Sequence, residues 1–177
     1  MNHARAAGVL ALALLGCGGD EAAPPEPGLF IALSPQFRDF RSWPRVAISA
    51  GDDPIDPTQP FFAYANMPPP AAGAQYPVGS ILVHTVELTE DPMSWEVFAM
   101  VKRGGGYNAS GARDWEFFRL GFASGDVPFI ISRGFSPVDD GIYSSGPGRG
   151  CNGCHAATDA AAHDYVLSRQ LRPGAAR

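Results

Sequence analysis

The stretch Cys151-Asn152-Gly153-Cys154-His155 constrains this 177-residue chain more than any other. Two thiols three positions apart can reach the two vinyl groups of one porphyrin, and the adjacent imidazole can then coordinate the iron. The pattern therefore predicts one haem c, attached through Cys151 and Cys154, with His155 as the proximal iron ligand. A chain that encloses a group of this size has to arrange its apolar side chains around it.

The same five residues have three other interpretations. A zinc site would need further ligands at defined spacing, and after the N-terminal stretch 1–16 the chain offers only His84 and His163, without a second C-x-x-C pair. A thioredoxin-like redox pair is expected near the start of a βαβ unit rather than ahead of a C-terminal helix. A Cys151–Cys154 disulfide is the third interpretation, in an oxidising compartment. Haem attachment is favoured because it also accounts for the histidine.

The N-terminal residues have the pattern of an export signal. Arg5 precedes an apolar run over 6–15, which is too short to span a bilayer and is typical of a signal-peptide core. Leu14-Leu15-Gly16-Cys17 resembles the bacterial lipobox, in which the signal is cleaved before a cysteine that then receives lipid. We predict a lipoprotein signal peptide at 1–16, a flexible tether at 17–28 and a haem domain at 29–177. Ordinary signal cleavage, which would leave Cys17 as a spare thiol, is the alternative.

The cysteine count supports both motifs. The chain has three cysteines, and an unpaired thiol in an exported protein needs an explanation. Lipid on Cys17 and thioethers on Cys151 and Cys154 use all three. The expected location is the periplasmic side of the bacterial envelope, and Gly18 after the lipidated cysteine favours the outer membrane.

Charge excludes two classes of partner. The formal net charge is −5 and no run of Lys or Arg occurs, which argues against binding to nucleic acid or to an anionic membrane surface. Contact with a membrane is therefore expected only through the lipid on Cys17.

The hydrophobic pattern predicts an antiparallel sheet between two helical ends. Between 80 and 88, apolar residues alternate so that Leu82, His84 and Val86 share one face of a strand. The 17 prolines and 21 glycines favour short elements and many turns. Five strands are predicted, at 61–66, 80–88, 95–102, 115–120 and 127–132.

The ends of the domain complete the fold class. Ser34-Pro35 is typical of a helix start, and the Ala-rich stretch 156–171 ends at Pro173-Gly174 as helices do. A glycine-rich turn at 104–111 joins the third and fourth predicted strands as a hairpin. We predict an α+β domain, mainly an antiparallel sheet, with a short N-terminal helix and a C-terminal helix following the haem motif.

Four blocks of the sequence resemble the cytochrome P460 family, which includes the β-sheet type of cytochrome c′. The blocks are Tyr76–Val83, Met100–Asn108, Asp114–Phe118, and Cys151–Ala157 with Asp164–Leu167. The resemblance implies a mainly antiparallel β domain, often a homodimer, that holds one haem c. It also implies His155 as the proximal ligand and a distal side that is open or only weakly occupied. An open axial position binds small molecules, whereas two strong protein ligands make an electron carrier.

One departure from that family bears on function. P460 enzymes oxidise hydroxylamine and carry a Lys cross-linked to the haem, on the strand after the Pro-x-Gly turn. This chain has a single lysine, Lys102, outside that strand, and His84 lies where the cross-linking lysine is expected. The leading expectation is therefore binding or redox conversion of a small ligand such as nitric oxide, with a redox partner protein. The alternatives are a P460-type oxidase of hydroxylamine-like compounds and a low-spin electron-transfer cytochrome.

Other candidate residues surround the predicted haem. His84 is either a buried, hydrogen-bonded histidine or at the dimer seam, or a distal residue and sixth ligand. Phe98 and Trp115 are predicted in the core or as walls of the haem pocket. Glu96 and Glu116 share strand faces with aromatic residues, where a carboxylate of raised pKa could transfer protons during catalysis. Each carboxylate could instead be solvated at a sheet edge.

Three arginines could pair with haem propionates, because guanidinium matches a carboxylate at two points. They are Arg103, Arg113 and Arg149. An ordinary surface position is the alternative for each.

Overall fold

The computed structural model describes residues 28–48, 61–123, 127–137, 150–157 and 159–175. These residues contain one antiparallel sheet of six strands, in which each strand pairs with its neighbour in sequence. The strands are β1 (Arg45–Ile48), β2 (Phe61–Ala65), β3 (Ile81–Val86), β4 (Glu96–Lys102), β5 (Trp115–Ala123) and β6 (Val127–Gly134). The predicted mainly antiparallel architecture is confirmed. The predicted signal peptide, Cys17 and all of the tether except Gly28 lie outside the described residues.

All five predicted strands are present with shifted ends, and one strand was not predicted. β1 has only four residues, of which two are exposed, and it follows Pro44, so its sequence carries little periodic signal. Its strand character comes from pairing with β2, where Arg45 lies opposite Tyr64. Strand formation at this edge is therefore decided by tertiary contact.

Both faces of the sheet are buried, each by a different end of the domain. Residues 28–43 cover one face, and the rings of Phe37 and Phe118 lie 5.3 Å apart there. The predicted N-terminal helix takes the form of two 3₁₀ turns, Ser34–Phe37 and Phe40–Ser42. Phe37 and Phe40 are fully buried by this packing.

The C-terminal residues cover the other face. One α-helix, α1 (Gly150–His155), contains the C-x-x-C-H motif itself. The continuous helix predicted over 156–171 is not formed, and its place is taken by 3₁₀ turns at Ala160–His163 and Arg169–Leu171. Asp164 and Tyr165 between these turns have φ values of 52° and 64°, which are incompatible with a right-handed helix.

Beneath this segment lies a second hydrophobic cluster. It includes Tyr76, Trp115, Phe117, Val166 and Leu171. A further 3₁₀ turn, Pro92–Ser94, precedes β4. Within the described ranges, no helix is long and apolar enough to cross a membrane.

Candidate cofactor site

A cleft between the sheet and the C-terminal segment brings the C-x-x-C-H motif against β2–β5. The empty space in the cleft amounts to about 890 Å³, a figure that includes open solvent at its mouth. On the sheet side it is lined by Ala63, Leu82, His84, Phe98, Met100 and Phe117. On the opposite side it is lined by Cys151, Cys154, His155, Val166, Leu167 and Leu171.

The sheet wall follows from strand register. His84 lies directly opposite Phe98, and Met100 lies between Leu82 and Phe117 in the next row. Residues opposite one another in an antiparallel pair point to the same face, so these rows form one continuous surface. That surface is apolar except for the imidazole of His84.

His155 is held in one orientation by a backbone carbonyl. Its Nδ1 lies 2.7 Å from the carbonyl oxygen of Tyr165, and its ring centre is 5.0 Å from that of Phe117. A carbonyl only accepts, so we assign the proton to Nδ1, which leaves Nε2 with its lone pair. A neutral imidazole with one nitrogen occupied in this way is the usual state of a metal-ligating histidine.

Burial keeps this imidazole neutral. Removal from water lowers the pKa of His155 to about 4, and the nearby charge of His84 also lowers it, while the hydrogen bond to Tyr165 opposes the shift. The two histidines are therefore close enough to interact electrostatically. At neutral pH the Nε2 of His155 is available to bind a metal.

Asp164, the residue before Tyr165, is held by three buried bonds. Lys102 Nζ lies 2.5 Å from Oδ1 of Asp164, and the backbone N–H of Tyr76 donates to Oδ2 at 2.8 Å. The indole Nε1 of Trp115 donates to the Asp164 carbonyl at 2.8 Å. Trp115 is fully buried and does not line the cleft.

A second set of bonds holds the motif helix from its other side. Oδ1 of Asn152 accepts from Asn108 Nδ2 at 2.7 Å and from the backbone N–H of Ala112 at 3.0 Å. A Cβ on Gly111 would clash with the Asn152 amide, so a larger residue there would displace Asn152 from these bonds. Asn152, one of the two variable positions of the C-x-x-C-H pattern, docks α1 onto the β4–β5 connection.

The chemistry of the two thiols is not that of a thioredoxin-like pair. Both cysteines are unbonded and partly buried, and burial raises the pKa of Cys151 to about 11, with the charge of Cys154 adding to the shift. Redox-active pairs instead have a thiol of lowered pKa. Among the described residues no group of three or more His, Cys, Asp or Glu could hold one metal ion. The two thiols and the imidazole are donors spread over an apolar cleft, and such a set fits a large planar cofactor better than a single ion.

No family model, curated protein or solved structure matches the chain. The resemblance to cytochrome P460 therefore rests on the four sequence blocks. In the structure these blocks contact one another, because Asp164 binds Tyr76, Lys102 and Trp115 while Asn108 binds Asn152.

Among the remaining predicted site residues, two lie at the cleft and two do not. His84 and Phe98 line it, and the His84 ring stacks on Phe61 with centroids 5.1 Å apart. Glu96 is exposed at the start of β4. Glu116 is buried on the opposite face, where its carboxylate accepts from Arg103 at 3.0 Å and from Arg133 at 2.7 Å.

The hypothesis of a proton-transferring carboxylate is therefore not supported by the position of either residue. Glu116 shares a face with Phe118, as its sequence position indicates, but that face is covered by residues 28–43. Arg103 is engaged by Glu116, Arg113 is exposed, and Arg149 lies outside the described residues. His163, in its 3₁₀ turn, does not line the cleft.

Sequence reasoning missed Lys102, Asp164 and Asn152 as parts of the site. Lys102 carries a signal that could have found it, since a charged residue at an inward position of an apolar strand requires a buried partner. The identity of that partner, 62 residues away in sequence, had no such signal.

Proposed function

We propose that this chain is a monohaem c-type cytochrome of the P460 type. Cys151 and Cys154 would attach the haem through thioethers, and Nε2 of His155 would bind its iron. The observation that carries the proposal is that both thiols and a neutral, carbonyl-oriented imidazole line one apolar cleft. When bound, haem supplies a coordination position for a small ligand and a one-electron redox couple.

The sheet wall favours a small, weakly polar ligand. Phe98, Met100, Phe117 and Leu82 present apolar surface, and the carboxylates predicted for proton transfer lie elsewhere. Such surroundings stabilise a neutral diatomic more than a charged substrate, because a charge there would lose its hydration without a partner. We therefore favour binding or redox conversion of a ligand such as nitric oxide, with a redox partner protein exchanging electrons.

Oxidation of hydroxylamine-like compounds by a cross-linked haem is less well supported. Lys102, the only lysine, is 3% exposed, pairs with Asp164 and does not line the cleft. An amine held in this way is not available to react with a porphyrin.

A low-spin electron carrier is the second candidate, and one observation favours it. His84 lines the same cleft as His155 and lowers its pKa through space. An imidazole there could become a sixth ligand, and two histidine ligands would favour electron transfer over ligand binding.

Spectroscopy and mass of the purified mature protein test these proposals. We expect a mass equal to the polypeptide plus one haem, attached by thioethers alone, and high-spin ferric bands. Sharp low-spin bands that become high-spin in His84→Leu would establish the electron carrier instead. A tryptic peptide with Lys102 bound to porphyrin would support the oxidase, and a protein without covalent haem would refute all three.

The N-terminal predictions belong to the same proposal. Lipid on Cys17 would hold the haem domain at the periplasmic side of the envelope, and a homodimer is the assembly that the P460 resemblance implies. Metabolic labelling with a radioactive fatty acid tests the anchor, since Cys17→Ser should lose the label. Labelling that persists in this variant would contradict it.

A further inference from the structure

The pair of Lys102 and Asp164 is the most deeply buried ion pair among the described residues. Their side chains are 3% and 1% exposed. Desolvation of two charges offsets most of their attraction, so a buried pair by itself is weak evidence for added stability. The position of this pair next to the motif suggests a different role.

The pair stabilises an unusual backbone conformation. Asp164 and Tyr165 are consecutive non-glycine residues with positive φ, which costs roughly 1–2 kcal/mol for each residue. Three bonds to Asp164, from Lys102, Tyr76 and Trp115, oppose that cost. The conformation turns the chain so that the next carbonyl, that of Tyr165, meets Nδ1 of His155 at 2.7 Å.

We propose that Lys102, acting through Asp164, is a positioning residue for His155. It holds the Tyr165 carbonyl as the acceptor of the Nδ1 proton, and so selects the tautomer in which Nε2 faces the cleft. A strong acceptor on Nδ1 also makes Nε2 a better electron donor to a bound metal. This inference rests on the proposed haem function, in which His155 binds the iron.

The test compares variants of the mature holoprotein by resonance Raman spectroscopy and redox titration. In Asp164→Asn the carboxylate charge is lost at nearly constant volume, so Lys102 and the backbone of Tyr76 are held more weakly. We expect the ferrous iron–histidine stretch to move to lower frequency and the midpoint potential to rise. Lys102→Met should shift both in the same direction, because it removes the other half of the pair.

Glu116→Gln is the matched control. It makes the same change of carboxylate to amide at a buried, ion-paired carboxylate on the opposite face of the sheet, where the arginine partners are partly exposed. We expect it to lower stability while leaving the stretch and the potential as in the unmodified protein. If Asp164→Asn does not fold, Trp115→Phe serves instead, because it removes one bond to the Asp164 carbonyl without burying an unpaired charge.

The outcomes separate the two proposals. Covalent haem in every variant, with the same iron–histidine stretch in Asp164→Asn, Trp115→Phe and Glu116→Gln, would overturn the positioning role and leave the haem function standing. Absence of haem from the unmodified protein would refute the function. In that case ¹⁵N NMR of His155 still tests the inference, which requires the Nδ1–H tautomer in the unmodified chain and its partial loss in Asp164→Asn.

Discussion

Replacement of Asn152 by alanine should weaken the contact between α1 and the β4–β5 connection. The two cysteines of the motif and His155 are left unchanged. The change removes the acceptor shared by Asn108 and Ala112. Asn108 keeps its bonds to the carbonyls of Ala112 and Trp115, so it loses one partner of several. The N–H of Ala112, a fully buried residue, loses its acceptor.

The expected magnitude follows from these groups. An unpaired buried N–H costs about 1–3 kcal/mol, and the lost bond to Asn108 about 1 kcal/mol. The higher helix propensity of alanine stabilises α1 by roughly 0.5 kcal/mol and offsets part of this loss. The net loss is about 2 kcal/mol, which for a domain of this size lowers the melting temperature by about 4–8 °C.

Thermal unfolding of the purified mature protein, followed by far-ultraviolet circular dichroism, measures this effect. Asn152→Asp is the control, since it keeps an acceptor in the same place and should lose less than half as much. The fraction of chains with covalent haem should also fall in Asn152→Ala. Equal melting temperatures for Asn152→Ala and the unmodified protein, or an equal loss in Asn152→Asp, would refute the reasoning.

Three further changes test other parts of the structure. In the haem-free Cys151→Ser/Cys154→Ser chain, the pKa of His155 near 4 lies below its unfolded value of about 6.5, so the unfolded state binds more protons between these values. The free energy of unfolding should therefore be at its maximum above pH 6.5 and decrease as the pH falls to 4. The decrease should be about 3 kcal/mol for a fully buried group and roughly half that for this partly buried residue. Urea titrations measure it, and the pH dependence should be weaker once His155→Ala is added. Glu116→Gln should lower stability by about 1–3 kcal/mol, because the partly exposed Arg103 and Arg133 lose the charge of their shared carboxylate, and an unchanged urea midpoint would contradict that. His84→Leu should leave a high-spin ferric spectrum unaltered, and a change of spin state would instead identify His84 as a ligand.

Much of the sheet could be predicted from sequence, because strand alternation is a local property. The pattern around His84 put Leu82 and Val86 on its face, and all three lie on the face that the C-terminal segment covers. The pattern did not say which face would carry the cleft, since both faces are apolar. For that reason the sequence offered no ground to prefer Phe98 over Glu116 as a residue of the cleft. In the structure Phe98 lines the cleft and Glu116 lies on the opposite face of the sheet.

Helices were predicted less well, for a physical reason that the C-terminal segment makes clear. Alanine-rich composition favours a helix over 156–171, but propensity contributes only tenths of a kcal/mol per residue. The bonds of Asp164 to Lys102, Tyr76 and Trp115 outweigh it and impose left-handed backbone at two positions. No local pattern reports contacts with residues this distant in sequence.

The sequence by itself determined the C-x-x-C-H motif, five of the six strands of the described sheet and the β4–β5 hairpin, because each depends on spacing within a few residues. The tertiary structure alone decided what surrounds that motif. It placed Cys151, Cys154 and His155 in one cleft with His84 and Phe98, it paired Lys102 with Asp164, and it bonded Asn152 of the motif helix to Asn108. Such contacts join residues far apart in the chain, and only burial of the shared apolar face brings them together.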